Sequence, residues 1–190
     1  MKHLVIFASG SGTNAENIIT FFRNRNNVSV VQVLTNNPEA KVLERCKILN
    51  VNTLVFDKEA FSQSNDILNI LKPLNINLII LAGFLWKFPE FILKEYPNKV
   101  INIHPALLPK YGGKGMYGMH IHDAVISNKE KETGITIHYV NENYDEGAII
   151  FQTKCNVEST DTIEDIAAKI HKLEMEYFPK VVDSLLFPEE

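Results

Sequence analysis

The chain reads as α/β: a mostly parallel sheet with helices on both faces and an antiparallel strand pair at its C-terminal end. Three observations predict this. Short apolar runs alternate with segments of helical periodicity through the first hundred residues. Those runs are continuously apolar rather than alternating, the pattern of strands buried on both faces. Two later runs, 134–140 and 147–157, are joined only by NENYDE, close enough to pair as a hairpin.

The elements follow in order. HLVIFA (3–8) is a first strand that stops at a Gly-rich loop, and 14–24 (NAENIITFFRN) has helical spacing. VSVVQVLT (28–35) is a second strand, ended by Asn36, Asn37 and Pro38. A helix over about 39–49 leads to TLVF (53–56), and a helix over about 64–72 leads to NLIILA (77–82). VINI (100–103) closes the parallel series. After about residue 128 come the hairpin strands, then a final helix from near Thr162. No repeat, low-complexity tract or linker interrupts the 190 residues, so one domain is expected over 1–190.

Composition excludes several classes. A net charge of -4 without any Lys/Arg block argues against an extended nucleic-acid surface. The longest apolar run, LIILAGFLW (78–86), is far too short to span a bilayer. The N-terminus reads as a strand entering a glycine loop rather than as a signal peptide. Cys46 and Cys155 form neither a CxxC nor a disulfide framework, which fits two buried thiols in a reducing cytoplasm.

SGSGTN (9–14) joins the first strand to the first helix. Gly10 and Gly12 permit close backbone approach, Thr13 or Asn14 can cap the helix, and the helix N-terminus offers amides to an anion. Gly10, Gly12 and Ala15 also satisfy the G-x-G-x-x-A dinucleotide fingerprint. That motif expects an acidic residue at the end of the second strand, where this chain has LTNNP. A phosphate monoester therefore fits better than NAD; a tight turn without a ligand is the structural alternative.

Asn102 and His104 are the best catalytic candidates. Residues two apart in a strand face the same way, and Pro105 ends the strand. An amide can stabilise an oxyanion and an imidazole can move a proton, a pairing suited to carbonyl chemistry. Asp145, in NYDEG, would raise and orient His104 if it lies alongside, with Gly147 allowing the turn. Spacing alone does not bring the three together.

SGSGTN, LAGFLWKF (81–88), NIHPALLPKY (102–111) and DEGAIIFQ (145–152) occur in this order, and together they resemble the 10-formyltetrahydrofolate-dependent formyltransferases over nearly the whole chain. The resemblance implies the formyltransferase fold, a Rossmann-like sheet. It implies transfer of a formyl group from the co-substrate 10-formyltetrahydrofolate to the amino group of 5-phosphoribosylglycinamide, a step of purine synthesis. It further implies a cytoplasmic enzyme, monomeric or homodimeric, with small-molecule substrates and no metal, nucleic-acid or membrane partner. Carried over residue by residue, His104 is the acid/base, Asn102 the oxyanion partner and Asp145 the tuner of His104. Gly12, Thr13 and Asn14 hold the ribose phosphate, and Glu174 the glycinamide nucleotide. Leu85, Trp86, Lys87 and Phe88, with Asn102 and the loop from Asn141 through Tyr144 to Asp145, line the folate pocket. The resemblance thus implies a nucleotide- and phosphate-binding half over 1–100 and a catalytic and folate-binding half over 101–190.

Glu174 also stands out independently. It falls on the apolar stripe of the last helix, Ile163, Ile166, Ala167, Ile170, Tyr177, Val181 and Leu185, where a carboxylate needs a partner. The chain departs from the family pattern in the folate region: AFSQSND (60–66) offers Gln63 or Ser64 where relatives often carry arginine, and Trp86 stands at another common arginine position, followed by Lys87. The segment after Tyr111 is long, and Gly112, Gly113, Gly115 and Gly118 suggest a mobile lid that would bring Lys110 and Lys114 to the phosphate. His120, His122 and Asp123 could supply metal ligands, although the family chemistry needs none. His138 reads as a hydrogen-bonded core or surface histidine.

Overall fold

The computed structural model describes residues 1–188. One sheet of seven strands forms the molecule's centre: β1 (Lys2–Phe7), β2 (Val28–Thr35), β3 (Thr53–Val55), β4 (Leu78–Leu81), β5 (Val100–His104), β6 (Glu132–Tyr139) and β7 (Ile149–Asn156). Their order across the sheet is β3-β2-β1-β4-β5-β6-β7. The first five are parallel, and β6 and β7 are antiparallel. Helices α1 (Thr13–Phe22), α2 (Val42–Leu49), α3 (Lys58–Ser62), α4 (Asp66–Leu71), α5 (Glu90–Glu95), α6 (Met119–Ser127) and α7 (Ile163–Leu186) join and cover the strands.

The continuous apolar runs are continuous because both faces are covered. Along β1, Leu4 and Ile6 enter one core with α1, α2 and α7, while Val5 and Phe7 enter a second core with α3, α4 and α5. Burying an apolar side chain of this size contributes roughly 1.5–3 kcal/mol. Strand order reverses at β1: the chain winds outward through β2 and β3, then crosses back to place β4 on the other side of β1. A crevice opens at such a switch point, beyond the carboxyl ends of the strands. Loops from β1, β4 and β5 all end there.

Helix boundaries differ from the sequence pattern in three places. The expected helix over 64–72 is α4, and a further short helix, α3, precedes it, started by Asp57, whose side chain accepts from the Ala60 N–H at 2.8 Å. Helix α2 starts only at Val42, after Pro38 and a turn. Two helices, α5 and α6, occupy segments with no legible periodicity.

Helix α7 begins with the Thr162–Asp165 capping box. It continues through Pro179, which has no N–H for the Met175 carbonyl. Asn17 of α1 donates to that carbonyl at 2.8 Å. The helix is thereby tied to α1 one residue away from Glu174. Among the described residues no helix is long and apolar enough to cross a membrane.

Candidate active site

The crevice is a cleft of about 710 Å³, reached by the glycine loop, the β4 and β5 ends, the glycine-rich 112–118 segment and α7. Its floor is set by the glycine loop. Gly12 caps α1 in a left-handed conformation at φ 73°, and no side chain caps this end. The capping expected of Thr13 or Asn14 is thus replaced by a backbone turn. An added Cβ at Gly12 would overlap the Val42 side chain, so only glycine lets the loop pack there. The first intrahelical bond runs from the Glu16 N–H to the Gly12 carbonyl. The amides of Thr13, Asn14 and Ala15 precede it, an arrangement suited to an anion. Arg45 braces the loop, donating to the Ser11 carbonyl at 2.8 Å and pairing with Glu16. Where a dinucleotide fold would place its acid after β2, Asn37 instead donates to the Ser9 carbonyl at 3.4 Å.

Asn102 and His104 leave β5 on the same side and both line the cleft. The antiparallel register sets His138 of β6 opposite Asn102 and Thr136 opposite His104. Thr136 then pins the loop after His104: its hydroxyl donates to the Ala106 carbonyl at 2.6 Å and accepts from the Leu108 N–H at 3.0 Å. Gln152 of β7 donates to the Thr136 hydroxyl at 2.8 Å and to the Leu108 carbonyl at 3.0 Å. The loop that follows His104 is therefore held by hydrogen bonds from the hairpin.

Proton positions follow from the partners. His138 Nδ1 lies 2.8 Å from the Tyr139 carbonyl, which can only accept, so Nδ1 carries the proton. With that tautomer Nε2 accepts from Asn102 Nδ2 at 3.1 Å. This fixes the Asn102 amide with its NH₂ group inward and leaves its second N–H for a ligand. His104 Nε2 lies 2.8 Å from the Tyr111 carbonyl, so it donates there, and Nδ1 is left as a lone pair. Asp145 Oδ1 sits 3.7 Å from His104 Nδ1 and 3.6 Å from His138 Nε2, ion-pair distances rather than hydrogen bonds. Its other oxygen accepts from the Gly113 N–H at 2.9 Å.

The electrostatics correct one expectation. Burial pushes His104 down, and Asp145 and the Tyr111 carbonyl do not fully restore it, so the ring stays below its ordinary value of 6.5. Asp145 pulls His104 upward as expected, but burial wins. Burial also raises Asp145; the His138 and His104 imidazoles and the Gly113 N–H outweigh it and hold the carboxyl below its ordinary value. The resting pair is thus a neutral imidazole beside an aspartate anion.

The DEG turn is built differently from its sequence reading. Asp145 itself takes the left-handed conformation, at φ 56°, which aspartate tolerates better than most residues. Gly147 is needed because an added Cβ would overlap the Tyr139 carbonyl oxygen, the group that fixes the His138 proton. Gly147→Ala is expected to lower stability by roughly 1–3 kcal/mol, read as a lower urea midpoint at unchanged slope.

Glu174 closes the cleft from α7, accepting from Asn14 Nδ2 at 2.9 Å, with His171 Nδ1 at 3.8 Å. Asn14 Oδ1 is buried without a partner. Burial raises the Glu174 carboxyl above its ordinary value of 4.5, opposed by Asn14 and His171. The folded state therefore holds this proton more tightly than the unfolded chain does. The resulting stability is complete below pH 4.5 and is lost as pH climbs through the raised folded value. Glu174→Gln is expected to melt higher than the parent at pH 7 and to converge with it below pH 4.5, as calorimetry at the two pH values would show.

Beyond Leu85 and Tyr144 the cleft continues into a second cavity of about 650 Å³, walled by Trp86, Lys87 and Phe88. Trp86 and Phe88 pack edge-on and tilted into a cluster with Phe56, Phe61 and Phe84. The result is an aromatic wall adjoining the cleft that Asn102, His104 and Asp145 line.

Residues 2–182 match the family model described as formyl transferase. The chain belongs to the formyl transferase family. It is 37% identical to the phosphoribosylglycinamide formyltransferase of Bacillus subtilis, covering 98% of this chain and 95% of that protein. The crystal structure of phosphoribosylglycinamide formyltransferase from Bacillus halodurans superposes with a TM-score of 0.88 at 35% identity, over 100% of this chain and 97% of that one. Glycinamide ribonucleotide transformylase 1 from Geobacillus kaustophilus gives 0.87 at 35% identity, over 98% and 99%.

Within this formyl transferase, some expected site residues fall elsewhere. Lys110 does not reach the cleft; its ammonium donates to both Glu130 oxygens, at 2.9 and 3.2 Å. Lys114 does line the cleft. Asn141 lines neither cavity, and its side chain accepts from the Asn143 N–H at 3.0 Å. Gln63 and Ser64 also lie outside both cavities.

Gly113, Gly115 and Gly118 have positive φ, so they serve the backbone path of a segment that forms a cleft wall. His120 and His122 lie on α6, where residues two apart face different ways. His122 is buried against the cleft, while His120 packs edge-on against Tyr117. His138 was missed as a site residue, and only the β5–β6 register could have located it.

Proposed function

We propose that the chain transfers a formyl group from 10-formyltetrahydrofolate to the amino group of 5-phosphoribosylglycinamide, in the purine pathway of the cytoplasm. The observation that carries this is the Asn102–His104–Asp145 arrangement, lying between an amide-lined helix N-terminus and an aromatic cavity. In this reading the α1 amides of Thr13 and Asn14, with Gly12, take the phosphate, and Glu174 takes the ribose hydroxyls. Leu85, Trp86, Lys87, Phe88 and Tyr144 face the folate. Residues 1–100 supply the phosphate anchor and most of the folate wall, and residues 101–190 the catalytic groups.

The amine attacks the formyl carbon. The second N–H of Asn102 meets the developing oxyanion, and the neutral His104 Nδ1 takes the amine proton. Asp145 then faces a cationic ring and stabilises it. When the carbon–nitrogen bond to the folate breaks, the proton passes to the folate nitrogen, and the products are tetrahydrofolate and the formylated glycinamide. No step requires a metal.

A hydrolase of the same co-substrate would use similar groups, with water in place of the amine. Release of tetrahydrofolate with and without the glycinamide nucleotide separates the two. Release that depends on the nucleotide and matches formylated product is the expected result. Equal release in both would reassign the chain to hydrolysis.

A further inference from the structure

We propose that Glu130 is a positioning residue for His104, acting through Tyr111. This rests on the reading of His104 Nδ1 as the proton acceptor. Glu130 lies in the turn between α6 and β6, outside the cleft lining.

The connection runs through one strained residue. Tyr111 adopts a left-handed backbone at φ 57°, which is unfavourable for a bulky side chain. Surrounding structure must therefore hold it. Its hydroxyl donates to Glu130 Oε1 at 2.9 Å, and the preceding residue, Lys110, donates to both Glu130 oxygens. One carboxylate thus grips two consecutive residues. The Tyr111 carbonyl set by that grip is the partner of the buried His104 Nε2–H, at 2.8 Å.

The chemical consequence is a choice of tautomer. With the carbonyl in place, neutral His104 keeps its proton on Nε2 and presents the Nδ1 lone pair beside Asp145. If the grip is released, Tyr111 relaxes towards ordinary backbone geometry and its carbonyl turns away. A buried N–H without an acceptor is costly. The proton then moves to Nδ1, where Asp145 can accept it, and that nitrogen can no longer take a proton from the amine. Lys110, expected from sequence to bind phosphate, here supports the clamp instead.

The test reads the tautomer directly, from ring ¹⁵N shifts of His104 in labelled protein near pH 7. The parent should show the Nε2–H form. Tyr111→Phe and Glu130→Ala should each lose that single form, with kcat lower by roughly tenfold, the rate equivalent of one hydrogen bond, and KM within about twofold. The double variant should be no slower than the slower single, because both act on one chain of contacts. Glu130→Gln keeps an acceptor for the Tyr111 hydroxyl and should recover the Nε2–H form and most of the rate.

A parent with the proton on Nδ1, or an unchanged tautomer in both Tyr111→Phe and Glu130→Ala, would overturn the proposal. If the tautomer shifts as expected but the parent shows no glycinamide-dependent transfer, the clamp stands and the proposed function falls.

Discussion

His104→Ala is expected to lower kcat by roughly 10²–10⁴, the contribution of a positioned proton carrier, while KM for either substrate changes little. The ring meets the cleft through Nδ1 alone, because Nε2 is committed to the Tyr111 carbonyl. Burial holds its pKa below 6.5, so the working neutral form already dominates at pH 7. The acidic limb of the kcat/KM profile, which reports the free enzyme, should therefore fall below pH 6.5. In His104→Ala that limb should vanish. A variant that retains parental turnover would remove His104 from the chemistry. One that loses turnover but keeps the same acidic limb would assign that limb to another group.

Much of this site was legible because it sits at strand ends, and strand ends are marked in sequence. Apolar runs stopping at Gly10, Gly83 and Pro105 locate the carboxyl edge of a parallel sheet without any tertiary information. Asn102 and His104 share a side because a strand's period is two. Helices α5 and α6 were illegible for a related reason. The FILKE and MHIHDAVIS segments are short, and α6 carries polar histidines on faces that only the cleft and α7 make sense of. Lys110 was misplaced because its local sequence, LPKY, says nothing about Glu130 twenty residues on. His138 and the reach of Asp145 depend on register and on a left-handed turn, both properties of the assembled hairpin.

The same hairpin makes Asn102 the more instructive substitution. Asn102→Ala is expected to cost roughly 2.7–4 kcal/mol of barrier, or 10²–10³ in kcat, as for loss of an oxyanion donor in a water-poor site. Two donors are lost, and they have different jobs. One satisfies His138 Nε2 at 3.1 Å; the other faces the cleft. Removing the first leaves His138 Nε2 without its donor, 3.6 Å from the Asp145 carboxylate. Asn102→Asp should be at least as slow as the alanine variant, since it sets a negative charge against both the His138 lone pair and the developing oxyanion. Single-turnover formyl transfer, which isolates chemistry from product release, is the measurement. Because the amide acts on charge that appears only at the transition state, kcat and kcat/KM should fall together. A rise in KM at constant kcat would make Asn102 a substrate-binding residue and leave the oxyanion without a side-chain donor from β5.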